Sequence, residues 1–268
     1  MTDFHQQDLA GSRFEQVHLQ RASFREVHLN DAEFYDVDLS GSQFREVFFS
    51  GVVMRGVALQ NVQIDGELEG VVINGVDVGP LIQAELERRE PDLVKMRPND
   101  PDGFREGWDT IERLWAGTVE RARALPEDAL HERVDGEWSF IQTLRHLSFA
   151  TECWLYRAIL GDPRPWAPLS LPWEQMPDTD GVPCDLDARP TLDGALALRL
   201  DRQAAVRRYL ATLDDATLAS ETVPVEGPGW PEQRAYPVRE CLLTLLNEEW
   251  WHRQFALRDL AVLEARTA

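Results

Sequence analysis

An apolar residue recurs every five positions through the first quarter of the chain, from Phe4 to Ile64. A small or β-branched residue stands two positions before most members of this stripe, as Val17 does before Leu19. In a helix of period 3.6 or a strand of period 2, residues five positions apart would not stay on one side of the element. A square coil keeps it on one side, if each five-residue unit forms one side of the square. The members are Phe4, Leu9, Phe14, Leu19, Phe24, Leu29, Phe34, Leu39, Phe44, Phe49, Met54, Leu59 and Ile64.

This pattern resembles the pentapeptide-repeat family, which implies a right-handed quadrilateral β-helix with the stripe pointing inward. On that resemblance residues 2–79 would supply about four coils, spaced by about 4.8 Å as strands are. The stripe resumes one residue early around Glu69, which predicts a bulge there. We therefore assign residues 1–80 to a β-helical domain.

The composition changes after this domain. Tryptophan is absent before position 108 and then occurs nine times. Residues 79–90 predict a short amphipathic helix that would cover the unpaired edge of the last coil. Residues 91–103 contain three prolines and predict a linker. We therefore assign residues 81–103 to a capping helix and linker.

Helical periodicity fills the remainder, residues 104–268. Ser139 and Gln142 have the spacing of a capping box, Thr191 can cap a later helix, and Pro237 can occupy a first turn. Four long helices with long connections favour an all-α four-helix bundle. The predicted fold class is therefore α and β in two domains. The predicted helices are 104–124, 139–160, 191–213 and 237–265.

Composition also limits the partners. The net charge is −20 and the sequence pI about 4.6, which disfavours binding to nucleic acid or to an anionic membrane. No apolar run approaches the ~20 residues that span a bilayer, and the segment MTDFHQQDLA lacks the pattern of a secretion signal. The three cysteines form no C-x-x-C pair. We expect a cytoplasmic protein, and the sequence leaves its oligomeric state open.

Two residues near the C-terminus, Glu248 and His252, lie four positions apart on a predicted helix. This spacing places both side chains on one face, within reach of a single cation. His146, in the middle of another predicted helix, is a candidate third ligand. On spacing alone, Glu248 and His252 can equally form a surface ion pair, and His146 can be a hydrogen-bonded core residue.

The segments GEWSFIQTLRHLSFATECWL (136–155) and PVRECLLTLLNEEWWHRQFALRDL (237–260) resemble the DinB/YfiT-like superfamily. This resemblance implies a bundle that holds a metal through one histidine of the second helix and a pair of ligands four apart on a later helix. In the branch of mycothiol-dependent maleylpyruvate isomerases, glutamate replaces the first ligand of that pair. The matching residues are His146, Glu248 and His252.

Two imidazoles and one carboxylate leave a coordination position open, as in catalytic metal sites. Zinc is the favoured metal, and nickel or iron also suit these ligands. The resemblance implies a low-molecular-weight thiol, and the excess of arginine over lysine favours an actinobacterial host and hence mycothiol. The predicted function is a metal- and thiol-dependent S-transferase or isomerase that acts on a small molecule.

Other residues are assigned by position. Gln142 lies one turn before His146 and can orient that ring, or can serve only the capping box. Trp154 and Trp173 are predicted to line a substrate cavity, with packing in the core as the open alternative, and Arg253 is predicted to hold a substrate carboxylate. Glu249 lies off the ligand face and is predicted to be dispensable for metal binding, and the long connection 161–190 is predicted to form a wall or lid.

A binding function is the alternative to an enzyme. The repeats can form a protein-interaction module attached to a non-catalytic bundle. They can also mimic DNA, since residues 1–80 hold 13 acidic and 5 basic residues for a net charge of −8. About four coils offer little duplex-like surface, and all three ligand positions are present, so the enzyme is favoured.

Overall fold

The computed structural model describes residues 4–25, 27–44, 47–64, 66 and 68–267. Residues 1–3 lie outside the described residues. They are the first residues of the predicted β-helical domain and of the polar segment MTDFHQQDLA. Residues 26, 45, 46, 65, 67 and 268 also lie outside the described residues. The chain forms two compact units, Met1–Asp65 and Gly66–Ala268. The division comes earlier than residue 80, where the sequence placed it.

The first unit repeats its backbone conformation with the predicted period of five. One residue in each described repeat has a positive φ, as in Gly11 at 73° and Arg21 at 64°. Backbone hydrogen bonds close turns at intervals of ten residues, from Ser12 N to Leu9 O at 3.0 Å and from Ala22 N to Leu19 O at 3.0 Å. A positive φ at the third residue of such a turn is typical of type II turns. The period of the sequence is therefore also the period of the backbone.

The predicted burial of the apolar stripe is not observed. Its members keep between 41% (Leu9) and 68% (Ile64) of their surface exposed. No strand is assigned to the described residues between 4 and 64, and the turn-closing bonds join residues only three apart. Burial of the stripe requires contacts between successive coils, and local turns do not supply them. The pentapeptide pattern implies a β-helix, and its quadrilateral form stays a prediction.

The second unit begins with a small hairpin and two short helices. Strands β1 (Val72–Ile73) and β2 (Val76–Asp77) pair antiparallel, and helix α1 spans Gly79–Arg89. A 3-10 helix follows over Pro91–Met96.

The interpretation of residues 91–103 as a linker is wrong. Leu93 is 5% exposed and Met96 is 1% exposed, and both belong to the core of the helical unit. The three prolines suggested an open segment, but two apolar side chains between them anchor it to the helices.

Four long helical segments build most of this unit. Helix α2 spans Pro101–Arg123, α3 spans Phe140–Thr151, α4 spans Leu192–Thr212 and α6 spans Val238–Thr267, with the short α5 at Asp215–Leu218. Another 3-10 helix covers Glu127–His131. A π-helix over Glu152–Ile159 continues α3 directly. The bounds of the four segments lie within three residues of the predicted ones.

The helices pack pairwise around one apolar core. Helices α2 and α3 each contact both α4 and α6. Trp108, Ile111 and Trp115 on α2 are at most 2% exposed, and they follow the predicted helical spacing. Among the described residues, no helix is long and apolar enough to span a membrane.

Candidate metal centre

Three side chains meet where α3 packs against α6. His146 comes from α3, and Glu248 and His252 come from consecutive turns of α6. Each offers one possible ligand atom, and these atoms lie within 4.8 Å of one another. Glu248 Oε2 lies 3.4 Å from His146 Nε2 and 3.3 Å from His252 Nδ1. The structure therefore brings together the three residues that the sequence selected.

Local sequence explains these positions. Ser139 and Gln142 form the complete capping box, in which Ser139 Oγ accepts from Gln142 N and Gln142 Oε1 accepts from Ser139 N. This cap fixes the start of α3 two turns before His146. On α6 the spacing of four residues stacks Glu248 above His252.

A backbone carbonyl holds Nδ1 of each histidine. His146 Nδ1 lies 3.0 Å from Leu171 O, and His252 Nδ1 lies 2.9 Å from Glu248 O. A carbonyl oxygen can only accept, so each Nδ1 carries a hydrogen, and in the neutral form of either ring Nε2 is the atom with a free lone pair. Bonds of this kind orient histidine ligands in metal sites.

The electrostatics favour a neutral His252 imidazole beside a charged Glu248 carboxylate. Burial lowers the pKa of His252 to about 4, aided by the charge of His146 and opposed by Glu248. Burial, the strongest influence on Glu248, acts to raise its pKa. Contact with His146 and the charges of His252 and His146 outweigh it, so that the pKa of Glu248 is lowered. At neutral pH the donor set is one carboxylate with a neutral His252.

One atom of this cluster lacks a hydrogen bond. Glu248 Oε2 is buried and accepts no hydrogen bond among the described residues. An unpartnered buried carboxylate oxygen is costly, and a cation held with the two imidazoles would satisfy it. The side chains of His146, Glu248 and His252 are 10%, 29% and 19% exposed, so a small ion can reach them. The residues present therefore fit a divalent metal.

Trp138 is a neighbour of the site that sequence reasoning missed. Its ring lies 4.3 Å from that of His146 and 5.8 Å from that of His252, stacked on the latter with 22° between the planes. Trp138 directly precedes the capping residue Ser139, two turns before His146.

The orienting role considered for Gln142 is not supported. Its Oε1 is used in the capping box, and its Nε2 donates to Leu186 O at 3.3 Å. Both amide atoms of Gln142 are thus used elsewhere, and the Leu171 carbonyl orients His146 instead. The second alternative raised by the sequence, a capping role, describes Gln142.

The three predicted substrate-binding residues occupy different surroundings. Trp173, in the long connection, lies 6.4 Å from the ring of Phe149, one turn after His146. Trp154 packs edge-on against Tyr236 at 5.6 Å. Arg253 donates Nε to Thr118 Oγ1 on α2 at 3.0 Å. Arg253 thus has a structural partner, and only Trp173 is connected to the metal centre through described ring contacts.

The two helical cysteines are buried thiols. Burial raises the pKa of Cys153 well above its ordinary value, and burial raises the pKa of Cys241 to about 12. Both stay protonated at neutral pH, so neither is a nucleophile. Cys184 is exposed.

Glu249, expected to be an uninvolved neighbour of Glu248, is buried. Its carboxylate pairs with Arg199 of α4 through bonds of 3.0 and 2.5 Å, and the two side chains are 2% and 3% exposed. The Arg199 guanidinium also lies 4.7 Å from the ring centre of Trp115, whose Nε1 donates to Glu249 O at 3.2 Å. Glu249 therefore ties α6 to two other helices.

Comparison with known families agrees with both halves of the chain. The model of the DinB superfamily matches residues 110–256, which include all three candidate ligands. The model of pentapeptide repeats matches residues 2–34 and 32–66. A search of curated proteins finds no match. The chain belongs to the DinB superfamily and carries pentapeptide repeats at its N-terminus.

Proposed function

We propose that His146, Glu248 and His252 hold one divalent metal, with zinc favoured and nickel or iron as alternatives. One observation carries this proposal, the meeting of two carbonyl-oriented imidazoles with a buried carboxylate oxygen that lacks a hydrogen-bond donor. Two imidazoles and one carboxylate leave a position open to an exogenous ligand.

The protein in this proposal is a thiol-dependent S-transferase or isomerase that acts on a small molecule in the cytoplasm, without nucleic acid or membrane. A bound divalent metal supplies the positive charge that keeps a ligated thiol deprotonated at neutral pH. The low-molecular-weight thiol is of the mycothiol class. The chain's own residues orient the ligands through Leu171 O and Glu248 O, and the ring of Trp138 covers one side of both imidazoles.

The proposed architecture is a right-handed quadrilateral β-helix followed along the chain by a DinB-type four-helix bundle. The four long helical segments and their pairwise contacts support the bundle. The five-residue repeat of backbone and sequence supports the β-helix.

A second candidate function rests on the repeat unit. Its exposed apolar stripe and the net charge of −8 over residues 1–80 suit a protein-interaction module or an acidic mimic of DNA. The two candidates differ in what removal of Met1–Asp65 does. An enzyme of the proposed kind keeps metal and thiol binding, whereas an interaction module loses its partner.

The test compares metal content across matched variants. We expect about one equivalent of metal in the wild-type protein and in Glu240→Gln, an exposed position on the same helix, and little in Glu248→Gln or His252→Ala. Chelation should lower the melting temperature of the wild type but not of His252→Ala, because only the folded wild type presents all three ligands.

The thiol is tested separately, by thermal shift of metal-loaded protein with mycothiol, bacillithiol and glutathione. Mycothiol should give the largest shift. Wild-type protein that is purified without chelator, supplied with zinc, nickel or iron, and still holds less than about a tenth of an equivalent would refute the metal site.

A further inference from the structure

One buried arginine of the π-helix donates hydrogen bonds to two long loops. Arg157 is 1% exposed, and its guanidinium donates to Pro163 O at 2.8 Å in the loop 161–190. It also donates to Gly227 O at 2.6 Å in the loop 220–236, with longer bonds to two further carbonyls of that loop. Both loops are therefore fixed relative to α3 and to His146.

The loops place two indoles against one ring of α3 and a third indole against one of these two. Trp166 stacks on Phe149 at 5.2 Å, Trp173 meets Phe149 edge-on at 6.4 Å, and Trp230 meets Trp173 at 5.1 Å. Phe149 in turn lies 6.3 Å from the ring of His146. A continuous run of aromatic rings thus leads from the proposed metal centre to the loops.

Close packing holds this cluster in place. A side chain on Gly229 would place its Cβ 2.9 Å from Trp166 and 3.1 Å from the Arg157 guanidinium, so only glycine lets the second loop approach the first. Leu171, fully buried in the first loop, receives the bond from His146 and donates its own N–H to Arg145 O at 3.3 Å. The indoles are therefore carried on a fixed framework.

The indole rings of this cluster are more exposed than those of the helical core. Phe149 is 1% exposed, whereas Trp166, Trp173 and Trp230 are only partly buried. Partly exposed indoles on fixed loops offer flat apolar faces, and contact with another flat apolar group would remove these faces from water. Ligand sites commonly combine such a wall with a few convergent polar groups.

We propose that Trp166, Trp173 and Trp230, supported from beneath by the buried Phe149, form a subsite for a flat apolar group, such as an aryl ring, on the substrate that reacts at the metal centre. This inference rests on the proposed function, since the metal centre holds the thiol and the aromatic cluster selects its partner. It names the substrate class that the sequence left open, an acceptor with a planar apolar part.

The test measures the affinity of the zinc-loaded full chain for three probes, by calorimetry under reducing conditions. Ethanethiol can use only the metal, 2-naphthol chiefly the aromatic cluster, and 2-(2-naphthyl)ethanethiol, an alkyl thiol with an acidity close to that of ethanethiol, can use both. We expect 2-(2-naphthyl)ethanethiol to bind at least about tenfold more tightly than ethanethiol. In Trp173→Ala and Trp230→Ala the ratio should fall below about threefold, while zinc content and the affinity for ethanethiol stay unchanged. Val223→Ala, an exposed change in the second loop, should leave every value as in the wild type.

Equal affinities of the two thiols in the wild type, or a preference that both tryptophan variants retain, would overturn the subsite. If zinc-loaded protein binds neither thiol, the proposed function fails, and 2-naphthol alone decides about the subsite. Binding of 2-naphthol that is lost in Trp173→Ala would support it, and absence of 2-naphthol binding would overturn it.

Discussion

Removal of the Glu249 carboxylate should destabilise the protein far more than removal of its neighbour Glu248. In Glu249→Met, Arg199 keeps its charge at 3% exposure and loses both carboxylate bonds. Loss of one partner from a buried pair typically costs about 3–5 kcal/mol. Glu248 Oε2 makes no hydrogen bond in the described structure, so Glu248→Gln should change the stability of the metal-free protein much less.

The measurement is urea denaturation of the metal-free protein, followed by far-UV circular dichroism. With an m-value of about 2 kcal/mol/M, a loss of 3–5 kcal/mol lowers the midpoint by roughly 2 M. Because the whole free energy of unfolding is about 5–15 kcal/mol, the variant remains measurable at low temperature. Glu240→Met, an exposed change on the same helix, should stay within about 0.5 kcal/mol of the wild type.

A double-mutant cycle isolates the pair. Arg199→Met combined with Glu249→Met removes both charges, so the double variant should be more stable than either single one. The folded double variant should still bind metal, because neither residue offers a ligand atom to the cluster. The reasoning is refuted if Glu249→Met costs less than about 1 kcal/mol, or if the two single effects simply add.

Three further predictions test other parts of the chain. In the metal-free protein His252 takes up its proton near pH 4 and in the unfolded chain near 6.5, so the unfolded state binds more protons between these values. The free energy of unfolding, measured by urea denaturation, should therefore fall by about 2–3 kcal/mol as pH drops through this window. His252→Asn should remove this dependence on pH. If coils stack as a β-helix, Phe24→Asp should unfold the repeat unit while Arg25→Asp is neutral; equal small effects in thermal melts would instead fit the observed exposure. Deletion of residues 1–65 should leave a folded helical unit. Deletion of residues 1–97 also removes two buried core side chains, and should lower the free energy of unfolding by about 3–6 kcal/mol more. Equal stability of the two truncated proteins would contradict this.

Patterns that depend on neighbours along the chain were predictable. The period of five reappears in the backbone of the first unit, and the four long helices follow from caps and apolar spacing, as at Ser139 and Thr191. The spacing of Glu248 and His252 also placed them together. His146 needed the family resemblance, because spacing does not show which helices meet.

Features that depend on distant contacts were not predictable. The sequence could not show that Leu171 offers its carbonyl to His146, because that bond joins residues 25 positions apart. The prediction for Glu249 used only its position on one helix, whereas its burial depends on the ion pair with Arg199 of another helix. The prolines around Leu93 and Met96 suggested a linker, since local composition does not reveal that two side chains reach the core.

The bond from His146 to Leu171 has a consequence for how such a protein can diversify. It uses the main chain of the loop and requires only that the backbone keep its path, so any side chain at position 171 that fits a buried site preserves it. The aromatic residues of the same loop can therefore be exchanged one at a time while His146 keeps its orientation. Under the proposed function, new acceptor specificities would arise by point changes in this loop that leave His146 in place. Insertions or deletions that shift the path at Leu171 would instead alter both at once.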